Sequence, residues 1–346
     1  MSSAWPLVIT LLYVATAMLI GLRAQAGRSM NNLEEWGVAG RSMGPVTLYL
    51  LIAAGSVSAY TFMGAPGWAY SKGVAVFYVA VYLAYLALVA WYFGPKVWQF
   101  GEQFGHVTQA SAIADRYQSP ALGALSALVM AVGSVAYAVL QTIGSAYILF
   151  VMSGGQIPVW LGVLLVLACI AVYLYASGQR AIGRTNAFQG VLMLVVAWAV
   201  GLWAIHSATG GLSFAGVFER ITAENPEFLT LPGAGGDMSF SFWTTSIIVS
   251  MFSFMPPFGR SDERLFSAHH PPQRDVATHL LRGDSTMVVV GFIGIFSLPE
   301  LARADTVVLE YAMQHLPVVL VGLLGAGTLA APCLPASHSF TRFLSR

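Results

Sequence analysis

Residues 117–179 read YQSPALGALSALVMAVGSVAYAVLQTIGSAYILFVMSGGQIPVWLGVLLVLACIAVYLYASGQ. These 63 residues separate Arg116 from Arg180 and contain no Asp, Glu, Lys or Arg. Because a hydrocarbon core about 30 Å thick takes roughly 20 helical residues per crossing, the stretch has room for two membrane spans. The Gly-Gly-Gln-Ile-Pro segment at 154–158 predicts the turn between them. The stretch therefore predicts a helical membrane protein.

The composition of the whole chain supports the same class. Hydrophobic residues make up 57% and charged residues 9% of the 346 residues, whereas soluble domains have about 45–50% and about 25%. Sixteen basic and fifteen acidic residues leave a net charge of +1, which indicates no basic surface for nucleic acid. Cys169 and Cys333 lie in apolar stretches and indicate neither a disulfide framework nor a metal site.

Other apolar segments with few charges extend this interpretation along the chain. We predict an all-α polytopic membrane protein with about nine transmembrane helices, organised as a single membrane domain over residues 1–346. A secretory signal has basic residues before its apolar segment, and no basic residue precedes the first span. This span is therefore predicted to stay in the protein and not to be cleaved off as a signal. The predicted spans are 5–25, 45–70, 74–96, 120–152, 157–177, 186–208, 239–260, 283–299 and 308–332.

The distribution of basic residues predicts the orientation. Thirteen Lys and Arg residues lie on one side of the predicted spans, and three, Lys72, Arg220 and Arg303, lie on the other. Because cytoplasmic loops of membrane proteins are enriched in basic residues, the side with thirteen is predicted to be cytoplasmic and the N-terminus to lie outside. We expect a multi-pass protein of the cell (inner) membrane, surrounded by the lipid bilayer.

The second predicted span has an unusual composition for a membrane helix. Residues 53–70 read AAGSVSAYTFMGAPGWAY, with small and hydroxyl residues at the centre and Gly-Ala-Pro-Gly after them. Glycine and proline free backbone carbonyls, which are tolerated in a membrane only beside protein or a cavity. Carbonyl and hydroxyl oxygens together suit a small cation, so the segment indicates an ion site. The alternative is a close-packed interface of small residues between helices.

Four motifs in chain order resemble the sodium:solute symporter family. The first is Gly40-Arg41-Ser42 followed by the small-Ser-x-Ser core and the Gly-x-Pro-Gly-x-x-Tyr end of the second span. The others are VTQASAIADRY at 107–117, Tyr137-x-x-x-Gln141, and SGQRA at 177–181 followed by RTNAFQ at 184–189. Among its members the chain is most similar to monocarboxylate and pantothenate permeases.

The resemblance implies sodium-coupled uptake by alternating access on a five-plus-five inverted-repeat fold with a broken second span. Sodium would lie between the second and ninth spans, and the solute beside it. The implied sodium ligands are the carbonyls of Ala54, Val57 and Ala331, with Ser56 and Ser58 beside them. The implied solute-binding residues are Tyr60, Phe62, Met63 and Gln141. The alternatives are ordinary helix packing for Tyr60 and Phe62, and a hydrogen bond to a neighbouring helix for Gln141.

The chain departs from the family pattern at three places. Asn186 stands where the family usually has an acid, and the loop at 260–274 retains only fragments of the family sequence. Leu334 and Pro335 stand where the family has two hydroxyl residues that complete the sodium site. Residues 261–346 therefore match poorly, and the second repeat is incomplete. We expect a truncated or frame-disrupted copy that shows no sodium-driven uptake; the alternative is a short variant that assembles with another chain.

The predicted function is symport of sodium with a small organic solute, which we expect to be a monocarboxylate. Spans two, four and six contain no basic side chain, so a carboxylate would depend on helix N-termini and backbone amides. Sugars, amino acids and urea-like solutes remain alternatives. A symporter-like sensory membrane module of a signalling kinase is the alternative function.

We predict that the protein is not an enzyme. His269-His270 is the only histidine pair, and neither HExxH nor CxxC occurs in the sequence. No cofactor is expected apart from sodium as the coupling ion, and no nucleic-acid partner is expected.

The orientation predicts which loops are accessible from outside the cell. In a background without Cys169 and Cys333, Glu224→Cys should react with a membrane-impermeant maleimide on intact cells, whereas Ala112→Cys should not. The opposite labelling pattern would contradict the orientation.

Overall fold

The computed structural model describes residues 5–25, 58–106, 108–176, 179–234, 239–253 and 284–329. Every regular element within these ranges is a helix. In chain order, the α-helices are α1 (Trp5–Gln25), α2 (Ala65–Lys72), α3 (Tyr78–Phe104), α4 (Gln109–Arg116), α5 (Pro120–Met152), α6 (Val159–Ala176), α7 (Gln179–Thr209), α8 (Phe214–Glu224), α9 (Phe240–Ser253), α10 (Asp284–Ser297), α11 (Val307–His315) and α12 (Val318–Leu329). A π-helical segment (Tyr60–Gly64) leads into α2, and 3-10 turns lie at Gly73–Phe77, Pro226–Leu229 and Ala304–Thr306.

Several helices begin where a hydroxyl side chain accepts the first free backbone N–H groups. The hydroxyl of Ser119 accepts the N–H of Leu122 at the start of α5, where Pro120 occupies the first turn. A proline is favourable there, because the first helical residues have no intrahelical N–H partner. This cap fixes the beginning of the long helix that carries Gln141.

The helix bounds agree with most predicted spans within the described residues. Helix α1 coincides with the predicted span 5–25, α5 with 120–152, and α6 lies within 157–177. Two described segments, Pro120–Met152 and Phe188–Thr209, are long and apolar enough to cross a membrane on length and composition. Shorter apolar helices include α9, α10 and α12.

The predicted span 308–332 is wrong as a single helix. The structure has α11 and α12 there, separated at Leu316 and Pro317. Leu316 has an extended backbone (φ −102°, ψ 153°), which is the conformation that a following proline favours. The chain restarts as a helix when the Val321 N–H donates to the Pro317 carbonyl at 3.1 Å. The apolar composition continues across this break and therefore conceals it.

The end of the second span is fixed by a glycine. Gly73 has a φ of +65°, which an L-residue with a side chain rarely adopts, and it terminates α2. A Cβ at this position would also overlap the carbonyl of Phe228, so the 3-10 turn at 226–229 lies directly against it. The chain then enters α3 through its own 3-10 turn.

Helix α10 lies at the centre of the packed core. It contacts α2, α7, α8 and α11, and the side chains of Met287, Val290, Phe292 and Ile293 are fully buried. Its glycine Gly291 lies against the backbone of Pro66, so closely that an added Cβ would overlap the Pro66 carbonyl oxygen. Small residues at such contacts let membrane helices approach each other closely.

Helix α5 has two different faces. One face of its second half is buried and carries Gln141, Ser145, Ile148 and Met152. The opposite face is apolar and exposed over the length of the helix, as a lipid-facing surface requires. The exposed residues include Leu125, Leu128, Val132, Val135, Val139 and Ile143.

The contact between α10 and the second span predicts that alanine substitutions at two helical glycines have different effects on stability. We expect Gly291→Ala to destabilise the detergent-solubilised protein by about 1–3 kcal/mol, because the methyl group would overlap the backbone of Pro66. Gly133→Ala on α5 is the control, since an added Cβ there has no atom within 4 Å. Thermal unfolding of both variants tests this, and equal melting temperatures would contradict the packing.

Candidate functional site

The second span changes its helix type in the middle of the predicted site. Pro66 has no N–H, so the carbonyl of Phe62, four residues earlier, lacks its usual α-helical donor. The chain forms a π-turn instead, in which the Ala65 N–H donates to the carbonyl of Tyr60, five residues earlier. Single π-turns of this kind are frequent at functional sites. Pro66 therefore accounts for this interruption of the α-helix in the second span.

The helical segment begins with a reciprocal cap between Ser58 and Thr61. The Ser58 N–H donates to Thr61 Oγ1 at 3.3 Å, and the Thr61 N–H donates to the Ser58 carbonyl at 2.9 Å. The Tyr60 N–H donates to Ser58 Oγ at 3.2 Å. Thr61 was not among the predicted site residues, although serine before a helix is a known signal for a helix start.

The remaining N–H group at this helix start is bonded by Gln141 of α5. The Ala59 N–H donates to Gln141 Oε1 at 2.8 Å, and the Gln141 side chain is completely buried. One turn along α5, an added Cβ at Gly144 would lie 2.7 Å from the Ala59 Cβ, so the two backbones approach closely. The hydrogen bond to a neighbouring helix, which was the alternative to a solute contact at Gln141, is therefore present.

The other end of the Gln141 amide has no partner within the part of the chain that the structure describes. Because only the oxygen of an amide can accept the Ala59 N–H, the Nε2 group is left with its two donor hydrogens. This nitrogen is buried and makes no hydrogen bond to any described residue. An unsatisfied buried donor costs about 1–3 kcal/mol, which an acceptor atom of a bound molecule would recover.

The hydrogen bonds at the start of this helical segment determine which donors remain for an anion. From the sequence, helix N-termini and backbone amides are expected to receive a carboxylate. The N–H groups of residues 58–61 are instead all bonded within the protein, by Ser58, Thr61 and Gln141. Among the backbone groups of residues 58–61 and the side chains that bond them, the donor still available is the Nε2 of Gln141.

Tyr60 is directed towards the third span. Its hydroxyl lies 2.6 Å from the hydroxyl of Tyr78 on α3, and both side chains are partly buried. The Tyr60 ring covers Gly64, where an added Cβ would overlap it. The ring of Trp68 packs on Tyr78 with centroids 5.2 Å apart. The assignment of Tyr60 to the solute site stays a prediction.

Phe62 and Met63 are both buried in the core, with exposed fractions of 1% and 5%. An added Cβ at Gly327 of α12 would lie 4.0 Å from Phe62 Cζ and 3.9 Å from the Met193 side chain of α7. Phe62 of the second span and Met193 of α7 therefore both approach α12 at Gly327. Such burial is what helix packing requires, and the role of both residues in solute binding stays a prediction.

Most of the predicted sodium ligands lie outside the described residues. This group comprises Ala54, Ser56, Val57 and Ala331. The side chain of Asn186, where the family usually has an acid, is also outside the described part of the structure. Ser58 is described and buried, and both its hydroxyl and its carbonyl accept backbone N–H groups of the same segment. The sodium site therefore stays a prediction.

The sequence profile of the sodium:solute symporter family matches residues 36–255. The chain belongs to this family. An uncharacterized symporter of Bacillus subtilis, YhjB, is 31% identical over 331 residues, which are 93% of this chain and 66% of that protein. The sodium/pantothenate symporter of Escherichia coli is 27% identical over 92% of this chain and 66% of its own length.

Two further comparisons extend this result. A monocarboxylate transport permease protein of Rhizobium johnstonii is 24% identical over 69% of this chain and 48% of its own length. The solved structure of a Na+-coupled sialic acid symporter in an outward-open state matches 99% of this chain and 73% of its own, with a TM-score of 0.78 and 16% identity. The chain spans about two thirds of the length of the first relatives.

These comparisons confirm several predictions. The family and the all-α symporter fold are as predicted. Members of the family are integral multi-pass membrane transporters, so the prediction that the chain is not an enzyme is also confirmed. The orientation of the N-terminus stays a prediction.

The contact between the Tyr60 and Tyr78 hydroxyl groups predicts non-additive substitutions. Tyr60→Phe and Tyr78→Phe should each destabilise the protein, because each removes the same hydrogen bond. The double variant should be more stable than the sum of the two effects predicts, by about 0.5–1.5 kcal/mol. Thermal unfolding of the four proteins measures this term, and strict additivity would contradict the contact.

Proposed function

We propose that the protein takes part in the symport of sodium with a small monocarboxylate across the cell (inner) membrane by alternating access. The observation that carries the proposal is the buried Nε2 of Gln141 beside the second span, which has no hydrogen-bond partner among the described residues. A carboxylate oxygen is a strong acceptor for such a donor. Relatives named as pantothenate and monocarboxylate transporters support the same class of solute.

Sodium as the coupling ion is supported by the names of the relatives and by the local chemistry. The relatives include sodium/pantothenate and sodium/proline symporters. Hard cations bind oxygen ligands, and the second span supplies carbonyls and hydroxyls but no carboxylate. We propose that Ser58 and the residues before it, together with the ninth span, hold the ion.

A bound sodium ion would also compensate the charge of the solute. Residues 58–71 and helix α5 contain no charged side chain. An isolated carboxylate in apolar surroundings is strongly disfavoured unless it is paired and hydrogen-bonded. The cation would supply the pairing and Gln141 the hydrogen bond, so the solute would bind well only when the ion is present.

Equilibrium binding to the purified protein tests this proposal. We expect radiolabelled lactate or pantothenate to bind in sodium chloride but not in potassium chloride. Lactamide, which has an amide in place of the carboxylate, should compete at least about tenfold less well than lactate, because it cannot form the charge-assisted hydrogen bond. Glucose and proline serve as competitors from the alternative solute classes.

The variant Gln141→Glu should weaken carboxylate binding by at least about tenfold, because it loses the N–H donor and carries a charge of the wrong sign. Gln109→Glu is the matched control, since Gln109 is also buried and also has an unpartnered Nε2, but lies on α4. Equal losses in both variants would contradict a solute contact at Gln141.

Each further outcome bears on a different part of the proposal. Carboxylate binding that is equal in sodium and potassium would contradict sodium coupling. Tighter binding of glucose or proline would contradict the monocarboxylate and leave sodium coupling in place. Sodium-dependent uptake into proteoliposomes would contradict both the sensory module and the expectation of an inactive, truncated copy.

A further inference from the structure

We infer that Arg303 binds the carboxylate of the solute at the outer entrance to the site, before the solute reaches Gln141. The inference rests on the proposed function and on the predicted orientation, and it assigns a second contact, nearer the surface, to the same solute. It follows from the position of the 3-10 turn at 304–306, which contacts the second span.

Residues 303–304 connect the second span to α5 on the predicted outer side. Gly67 of α2 lies against Ala304, whose carbonyl oxygen would be 3.0 Å from an added Cβ. The neighbouring Arg303 extends to α5, where its Nη1 donates to the Tyr147 hydroxyl at 3.1 Å. The Arg303 Cζ also lies 4.2 Å from the centre of the Tyr147 ring. We call this connection between the two helices the outer bridge.

The outer bridge lies further out than Gln141 along both helices. Tyr147 follows Gln141 by six residues on α5, and Gly67 follows Ala59 by eight residues on the second span. At 1.5 Å per helical residue, these separations place the bridge about 9–12 Å from the contact between Ala59 and Gln141. A solute that approaches Gln141 between these helices from the predicted outer side therefore reaches Arg303 first.

A carboxylate is a stronger acceptor for Arg303 than its partner on α5. The Tyr147 hydroxyl is neutral, whereas a hydrogen bond from a guanidinium to a carboxylate is charge-assisted and about twice as strong. Asp305 holds the other terminal nitrogen, with its Oδ2 3.3 Å from Nη2. The incoming carboxylate therefore replaces the Tyr147 hydroxyl on Nη1, which also releases Arg303 from α5.

The exposure of Arg303 suits an entrance. Its side chain is about half exposed, as is that of Asp305, and ion pairs in such positions contribute little to affinity. The solute is therefore held only briefly and can move on to Gln141. A charge at the rim of a site acts mainly by attracting its partner, so the association rate is the quantity that Arg303 controls.

Two substitutions distinguish carboxylate binding from a purely structural bridge. Arg303→Gln removes the charge, whereas Tyr147→Phe retains the ring and removes only the hydroxyl that competes with the solute. If the bridge were purely structural, both substitutions would break the same hydrogen bond and change solute binding in the same direction. We expect Arg303→Gln to slow the association of lactate by at least about threefold, and Tyr147→Phe to accelerate it by about twofold.

Arg220→Gln is the matched control. Arg220 also lies on the predicted outer side, with its Cζ 4.2 Å from the centre of the Phe296 ring and its Nε 2.8 Å from Glu224 Oε1. Its side chain is 45% exposed, against 49% for Arg303, but the ring and the acid that it contacts lie on α10 and α8. Association in this variant should stay within about twofold of the unsubstituted value.

The experiment measures the association and dissociation rate constants of radiolabelled lactate with the purified protein. Sodium is kept constant, and choline chloride raises the ionic strength. Association with the unsubstituted protein should slow as ionic strength rises, because salt screens the attraction. Arg303→Gln should lose most of this dependence, and Arg303→Lys, which keeps the charge, should retain it. The dissociation rate constants should agree within about twofold.

Several outcomes would overturn this inference and leave the proposed function in place. One is an unchanged association rate in Arg303→Gln, with sodium-dependent lactate binding intact. The others are changes of the same direction in Arg303→Gln and Tyr147→Phe, an equal loss in Arg220→Gln, and loss of the salt dependence in Arg303→Lys. Absence of lactate binding to the unsubstituted protein would overturn both the inference and the proposed function.

Discussion

The structure around the second span depends on one constraint: backbone N–H and C=O groups in apolar surroundings must be bonded within the protein. Pro66 removes one donor from this span, and the helix start at Ala59 leaves several N–H groups without intrahelical partners. The π-turn replaces the hydrogen-bonding pattern that the proline interrupts. The free N–H groups at the helix start are bonded by Ser58, Thr61 and Gln141. The Gln141 side chain of α5 thus bonds an N–H group that the helix start leaves free, so a candidate site residue also contributes to the stability of the fold.

These hydrogen bonds form only where two helices approach each other closely, and small residues allow such an approach. Gly144 brings α5 to Ala59, and Gly291 brings α10 to Pro66. On the far side of α2, an added Cβ at Gly67 would lie 3.0 Å from the carbonyl of Ala304, and Arg303 beside it donates to the Tyr147 hydroxyl of α5 at 3.1 Å. Helix α2 is therefore in close backbone contact with both α10 and the 304–306 turn.

Features with local signals could be predicted from the sequence, and features that join distant segments could not. The bounds of α5 follow from Ser119, Pro120 and the glycines after Met152, which act within one helical turn. The bond between Ala59 and Gln141 joins residues 82 positions apart and depends on helix packing that no short pattern encodes. The predicted span 308–332 was wrong for a different reason: its apolar composition outweighed the signal of a single proline.

Residues 58–71 and helix α5, which carries Gln141, contain no charged side chain, and this places a demand on the mechanism. In the sequence, residues 58–71 and α5 offer hydroxyls, amides and apolar groups, but no side chain that could neutralise an anion. Two opposite unit charges 4 Å apart attract by about 4 kcal/mol at an effective dielectric constant of about 20. That attraction exceeds what one amide hydrogen bond contributes, about 0.5–1.5 kcal/mol. Under the proposed function, the cation therefore supplies most of the affinity for the carboxylate, and the amide supplies its position. A neutral site of this kind makes uptake of the acid without the ion unfavourable, because the solute would bring a charge that nothing in the second span or α5 can pair.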